Sequence, residues 1–333
     1  MSPELSIILP CRNEEQALPT CLESIREVIK KNNLNAEIIV SDSSIDKSPE
    51  IAKKHKAILL KHDKIGYGNA YLEAFKIAKG KYLFMADADN TYNFSYIPEF
   101  LSALKENNDF VIGNRFSGMM EKDSMPLTHK YLGNPVLSFI LRLFFQTKIR
   151  DSHCGMRAIK KESLEKLNLQ TSGMEFASEM IIKAIKNNLK IKEIPINYKK
   201  RIGNSKLNSL GDAWRHLRFM FIYSPFFLFF IPGLILFLIG INTLLLLYFG
   251  KLKILGIQLI IHPMFLSSLL IIIGYQLIIF SVFAKSYAIT HLKEPPVLQK
   301  LYKYLSIEKV ATLGIIATIL GITIYLSIFL NWI

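Results

Sequence analysis

The pattern of apolar positions divides the chain in two. Up to about residue 218, short apolar runs alternate with segments of mixed polarity, and beyond it the runs become long and unbroken. In the first part "LSIIL" (5–9), "AEIIVS" (36–41), "AILLK" (57–61) and "YLFMA" (82–86) read as buried strands. Helix signals fill the gaps. A helix is expected from about Glu14, whose acids suit a helix N-terminus. "SPE" at 48–50 reads as an N-cap serine, a proline in the first helical position and a first-turn acid. Another helix follows "GYGNA" and runs to Lys79. Strands separated by helices predict an α/β domain with a mainly parallel, doubly wound, Rossmann-like sheet. Ligands of such sheets gather beyond the carboxyl ends of the strands. Pro10 to Glu14, Asp42 to Ser44, Gly66 to Ala70 and Asp87 to Asp89 all follow a strand closely, so four strand ends should face one crevice.

The second part predicts membrane helices. Three runs, about 226–248, 263–283 and 310–330, reach the roughly 20 apolar residues needed to cross hydrocarbon. They are apolar all round rather than on one stripe, which disfavours helices buried in a soluble core. "GDAWRHLRFMFIY" (211–223) places Trp214, Arg215, His216 and Arg218 beside Phe219 and Phe221, the make-up of an interfacial amphipathic helix. The expected organisation is a soluble domain over 1–210, that helix over 211–223 and a membrane domain over 224–333. The loop after the second run holds Lys285, Lys293, Lys300, Lys303 and Lys309, against Lys251 and Lys253 after the first. Positive-inside counting therefore puts the soluble domain in the cytoplasm and the C-terminus outside. No basic stretch precedes the first short apolar run, so a cleaved signal peptide is not expected.

Charge and cysteine usage narrow the classes. The net charge of +14 is scattered along a membrane-bound chain, which disfavours nucleic acid as a partner. Cys11, Cys21 and Cys154 are odd in number and lack metal spacing, so neither a disulfide framework nor a zinc site is expected.

The chemistry concentrates in "KGKYLFMADADNTYNF" (79–94), where an apolar strand ends in Asp87 and Asp89. Two carboxylates this close repel one another. A divalent cation relieves that repulsion, and oxygen-only ligands favour Mg²⁺ or Mn²⁺. The alternative is that these acids cap the helix starting near Ser95. Gly66 and Gly68 stand where a backbone could approach a ligand, yet no P-loop and no G-x-G-x-x-G is present.

"IILPCRNEE", "IIVSDSSIDKS", "KIGYGNAYLEAFKIAKGKYLFMADAD", "VIGNR", "DSHCGMRA" and "IPINYKKRIGNSK" follow one another over residues 4 to 220. In this order they resemble the inverting nucleotide-sugar glycosyltransferases of the GT-A fold. The likeness is greatest to polyprenyl-phosphate sugar transferases, the dolichyl-phosphate mannose or glucose synthases and their undecaprenyl-phosphate relatives. The resemblance implies a nucleotide-sugar donor bound by Pro10, Asn13, Glu14, Asp42, Gly68, Asp87, Arg201 and Lys206, with Asp42 facing the base. It implies a metal pair, Asp87 and Asp89, gripping the donor diphosphate, and an acceptor phosphate met by Arg115 with His129 or Lys130. It implies that Asp89, Arg115 and Asp151 act in the reaction, Asp151 by orienting acceptor or sugar; the alternative for Asp151 is a structural carboxylate next to Arg157. A lipid phosphate is ionised near neutral pH, so a single displacement at the anomeric carbon needs no strong general base. Positioning and electrostatics should supply most of the acceleration.

Two departures from the family pattern bear on the donor. Ser41 replaces the first acid of the common D-D-G-S, and Thr91 stands where mannose synthases often place a glutamine metal ligand. The second tilts the sugar toward UDP-glucose, with GDP-mannose and UDP-N-acetylglucosamine as alternatives. Glu175 and Glu179 lie four apart on one helical face without an assigned role, and His153 reads as packing. The expected partners are donor, polyprenyl phosphate and lipid bilayer; the sequence allows a homo-oligomer without fixing one. A polysaccharide synthase is disfavoured by the lack of Q-x-x-R-W and the small number of spans. An inactive recruiting protein is disfavoured by the intact Asp87, Asp89, Arg115 and Lys206.

Overall fold

A computed structural model describes residues 2–203, 209–224, 226–250, 253–254, 257–258, 261–291 and 307–332. Its first compact unit extends to Ser281 and contains a seven-stranded sheet. The strands are β1 (Leu5–Cys11), β2 (Ala36–Asp42), β3 (Ile58–Lys61), β4 (Tyr82–Met85), β5 (Phe110–Asn114), β6 (Arg157–Lys160) and β7 (Ile191–Pro195), in spatial order β3-β2-β1-β4-β6-β5-β7. The apolar runs end up in the middle because they are buried on both faces; β4 and β5 have no exposed residue. Four of the six pairings are parallel, and only β6 runs against its neighbours.

That reversal matters for the site. Arg157, the first residue of β6, is in register with Met85 at the end of β4 and with Ile112 in β5. The segment before it, residues 151–156, is thereby delivered to the edge where β1, β2, β4 and β5 end. The helices packing the sheet include α1 (Leu18–Lys31), α2 (Ser48–Lys54), α3 (Tyr67–Ile77) and α4 (Ile97–Lys105). They are followed in the chain by α5 (Asn134–Phe145), α6 (Lys161–Leu167) and α7 (Phe176–Lys186). α1 buries Leu18, Cys21, Leu22 and Ile25, and α4 buries Phe100 against Phe84 with ring centroids 5.5 Å apart.

Local chemistry shifts several expected boundaries. The first helix starts at Leu18 rather than near Glu14, because Asn13 adopts a left-handed φ of 53° and the carbonyl of Glu14 closes a turn onto Ala17 and Leu18. Ser48 is not an N-cap: its hydroxyl accepts from the Glu14 amide at 3.0 Å, and Asp46 accepts from the Ser48 amide. The helix after the paired acids is capped by Asn93, which accepts from the Ser95 amide at 3.0 Å, so the aspartates do not serve as that cap.

α8 (Ser209–Ile222) leads toward α9 (Ile231–Tyr248), and α10 (Ile261–His291) follows. α8 buries His216 and Met220, with Tyr223 just past its end also buried, and leaves Trp214 59% exposed beside exposed Arg215 and Arg218. His216, grouped above with the interfacial residues, shares the buried face with Met220. α9 and α10 cross closely where glycine removes a side chain: a Cβ on Gly274 would lie 2.5 Å from the amide nitrogen of Phe237. The second compact unit, Val282–Ile333, holds the end of α10 and α11 (Ile307–Trp332).

Among the described residues three helices are long and apolar enough to cross a membrane: Leu228–Tyr248, His262–His291 and Glu308–Asn331, with mean hydropathies of 2.4, 2.2 and 2.4. The second outlasts the expected 263–283 by a further two turns, since no glycine or proline interrupts "AKSYAITH". Its 31 residues span about 46 Å at 1.5 Å per residue, more than the roughly 30 Å of hydrocarbon.

Candidate active site

The loops at the carboxyl edge of the sheet are tied into one structure by buried polar contacts. Between β1 and β2, the Asn13 amide donates to Ser44 Oγ at 2.7 Å and Asn13 Oδ1 accepts from the Ile45 amide. Asp42 ends β2 fully buried, and among the described residues neither carboxylate oxygen has a hydrogen-bond partner. A buried carboxylate in that state has acceptor capacity to offer a ligand's donor. Pro10 is in register with Ser41, one residue before it. Ser41, at the position of the missing acid, donates to the Ala70 carbonyl at 2.6 Å, so its bond to His62 Nε2 at 3.0 Å is one that His62 donates.

β4 stops at Met85, so both aspartates lie in the loop beyond it, which Asn90 turns with a φ of 64°. Asp89 Oδ1 accepts from both the amide and the hydroxyl of Thr91, at 3.1 and 2.6 Å, while Oδ2 lies 3.4 Å from the Arg201 guanidinium. Thr91 thus orients Asp89. Arg201 also pairs with Glu14, joining the first, fourth and last of these loops. Asp87 packs against Gly155, where a Cβ would come within 2.6 Å of its Oδ2. Burial, then repulsion from Asp89, pushes Asp87 up to about 7, against the pull of Arg201, Arg115 and a hydrogen bond from Tyr67.

Two adjoining carboxyl groups, a buried Asp89 and a part-buried Asp87 pushed up by its surroundings first and its neighbour's charge second, fit a hard divalent cation with oxygen ligands. Among the described residues no third His, Cys, Asp or Glu joins them. The remaining coordination positions would fall to a ligand and to water.

Arg115 and Asp151 are brought together more tightly than the sequence suggested. Asp151 is fully buried and accepts three bonds from Arg115: from its amide at 3.0 Å, from Nε at 2.8 Å and from Nη2 at 2.8 Å. Burial opposes the guanidinium charge and Asp151 outweighs it, so Arg115 stays charged. The guanidinium carbon lies over the Tyr198 ring, 5.1 Å from its centroid. Arg157 is not the partner of Asp151; its three nitrogens donate to the carbonyls of Cys154, Ala177 and Ser152, holding the loop from within.

Other expected contacts are distributed differently. Gly66 and Gly68 leave room for the chain itself, since a Cβ on either would lie 2.2 or 2.1 Å from the carbonyl oxygens of Ser172 and Thr171. Glu179 fastens that segment by accepting from the amides of Gln170 and Thr171 and the Thr171 hydroxyl. His129 and Lys130 occupy the π-helical turn His129–Gly133 before α5, both part-exposed and on a separate element from Arg115. Lys206 lies outside the described residues. The three cysteines are free and buried, and burial raises each thiol to about 12.

Sequence reasoning missed Tyr67, Tyr92 and Tyr198. Tyr92 accepts from the Gly155 amide at 2.7 Å and meets Tyr198 edge to face, and both rings stand near Asp87 and Arg115. Their only signal was proximity to a motif.

Residues 6–168 match glycosyl transferase family 2. Over 324 residues the chain is 36% identical to a low-salt glycan biosynthesis hexosyltransferase of Haloferax volcanii, covering 97% of this chain and 78% of that protein. The chain belongs to glycosyl transferase family 2. This glycosyltransferase is also 29% identical to a dolichyl-phosphate hexose transferase of the same organism, over 63% of this chain and 89% of that one. In fold it is similar to glucosyl-3-phosphoglycerate synthase from Mycobacterium tuberculosis, solved with Mn²⁺, UDP and glucosyl-3-phosphoglycerate. The TM-score is 0.54 at 19% identity, over 67% of this chain and 80% of that one. The GT-A expectation holds, and the glycosyltransferase is a membrane protein by its three apolar helices.

Proposed function

We propose that this glycosyltransferase moves a hexose from a nucleotide-sugar, UDP-glucose in the first instance, to a polyprenyl phosphate with inversion at the anomeric carbon. The observation that carries the reading is the row of groups along the strand ends. A buried Asp42, without a hydrogen-bond partner among the described residues, stands at one end, Asp87 and Asp89 with Arg201 lie in the middle, and the clasped Arg115 and Asp151 are at the other. A nucleoside diphosphate laid along this row would put its base against Asp42 and its diphosphate at the carboxylate pair. The names of the Haloferax volcanii relatives support a hexose and a lipid phosphate.

In this reading an oxygen of the lipid phosphate attacks the anomeric carbon, that C–O bond forms, and the bond to the nucleoside diphosphate breaks on the opposite face. Asp87 and Asp89 would hold a divalent cation, Mg²⁺ or Mn²⁺, whose chemistry is to neutralise charge on the departing diphosphate. Arg201 stands ready to follow the diphosphate, since it already faces Asp89. Arg115 contributes a fixed positive charge for the acceptor phosphate, and Asp151 sets the plane of its guanidinium. His129 and Lys130 would reach the same phosphate from the turn before α5.

The surface supports a reaction at the bilayer face. Tyr131, Leu132, Val136, Phe139 and Leu143 form an exposed apolar row on α5 and its preceding turn. With Trp214, Arg215 and Arg218 of α8 they suit an interface, and lysine counting puts the catalytic domain in the cytoplasm. The test is transfer from UDP-glucose, GDP-mannose and UDP-N-acetylglucosamine to polyprenyl phosphate by the detergent-solubilised protein, with and without EDTA. One EDTA-sensitive glycolipid is expected. Absence of product from every donor, with Asp87→Ala and Asp89→Ala indistinguishable from wild type, refutes the reading.

A further inference from the structure

The loop that carries Asp151 also carries His153, which has no part in the chemistry proposed above. Its ring meets that of His216 from α8 edge to face, with centroids 4.3 Å apart and planes at 89°. Each ring is anchored by serine. His153 Nδ1 pairs with Ser152 Oγ at 2.9 Å, and that oxygen pairs with Ser138 Oγ of α5. His216 Nδ1 pairs with Ser178 Oγ of α7 at 2.8 Å, and His216 is 4% exposed. Burial first, and then the cationic neighbours, hold both imidazoles below their usual range, His216 to about 3, so both are neutral. Among the described residues His153 Nε2 is buried without a hydrogen-bond partner. An apolar pair would fill this space without leaving a polar atom unsatisfied, so packing alone does not account for two histidines.

The contact joins two parts of the molecule that must cooperate. On one side is α8, the helix that leads to the first apolar span. On the other is the 151–155 loop, which clasps Arg115 through Asp151 and backs Asp87 through Gly155. We propose that His153 and His216 are positioning residues through which α8 sets the 151–155 loop, and with it the Arg115–Asp151 clasp that meets the acceptor phosphate. The acceptor half of this statement rests on the function proposed above; the coupling of α8 to the loop rests on the contact alone.

Two readouts separate these layers in the full-length detergent-solubilised protein. The first is thiol labelling, because Cys154 follows His153 directly and is fully buried, as are Cys11 and Cys21 elsewhere in the domain. In His216→Ala, kept well below its unfolding temperature, Cys154 should react with a maleimide at least about tenfold faster than in wild type, while Cys11 and Cys21 do not change. The second is steady-state transfer. His153→Ala and His216→Ala should each lower kcat/KM for polyprenyl phosphate by about tenfold or more, leave the donor KM within about twofold, and be strongly non-additive in combination. His216→Phe, which keeps a ring against His153 but loses the bond to Ser178, should recover only part of that loss.

If Cys154 in His216→Ala labels no faster than Cys11 and Cys21, the coupling is overturned whatever the activity. His216→Asn, which can still pair with Ser178, repeats the labelling if His216→Ala does not fold. Selective labelling together with equal losses in donor and acceptor parameters would overturn the assignment to the acceptor side. A wild-type protein that labels as described but transfers nothing would overturn the function and leave the coupling standing.

Discussion

Asp151→Asn tests whether the Arg115 clasp is a structural pair or a loose contact. The side chains are 6% and 0% exposed, and the closest N–O distance is 2.8 Å. With charge centres about 4 Å apart and an effective dielectric of about 20, the attraction is about 4 kcal/mol. Removing one partner of such a buried pair leaves the other charge uncompensated, at a cost of about 3–5 kcal/mol. For a domain of this size that is a fall in unfolding midpoint of about 10 °C. The assay exploits the cysteines, all of which are buried in the soluble domain with none in the apolar helices. A fluorogenic maleimide during heating therefore reports unfolding of this domain alone. Arg115→Met should cost a similar amount, and the double variant should recover most of the loss, because neither charge is then left unpaired. Single variants that shift the midpoint by less than about 3 °C, or a double variant as unstable as the sum of both, would refute the argument.

Three further outcomes follow from the site. Asp87 lies raised to about 7, so in EDTA its ionisation should cost stability as pH rises from about 4 toward 7; the difference in midpoint between wild type and Asp87→Asn should change sign-consistently over that window and level off above it. A pH-independent difference would count against the raised carboxyl. Arg201→Ala removes the cation facing Asp89 and should raise the donor KM by about 10- to 100-fold, the worth of a charge-assisted hydrogen bond of about 1.5–3 kcal/mol; an unchanged donor KM would separate Arg201 from the diphosphate. Gly68→Ala forces a Cβ to within 2.1 Å of the Thr171 carbonyl and should lower stability by about 1–3 kcal/mol, read by the same thiol assay, whereas a neutral result would mean that the 171–173 segment yields.

Much of the fold was legible in the sequence because the signals were local. Apolar runs of strand length separated by helical segments placed β1 to β4, and runs of more than 20 apolar residues placed the three membrane helices. The carboxylate pair at the end of β4 was visible for the same reason, since its meaning depends only on the strand before it. Partnerships between distant segments were not legible. Nothing in "DSHCGMRA" or "VIGNR" says that Asp151 belongs to Arg115 rather than to Arg157, six residues away; the reversed direction of β6 decides it by bringing residues 151–156 back to the ends of β4 and β5. Nor does "GYGNA" say that its glycines admit the 171–173 backbone, or "WRHLR" that one of its polar residues turns inward onto His153. Periodicity and length fixed which elements form, because those depend on burial along one segment; which charges meet was decided only by the sheet, because pairing buried charges requires segments 36 to 187 residues apart to share one edge.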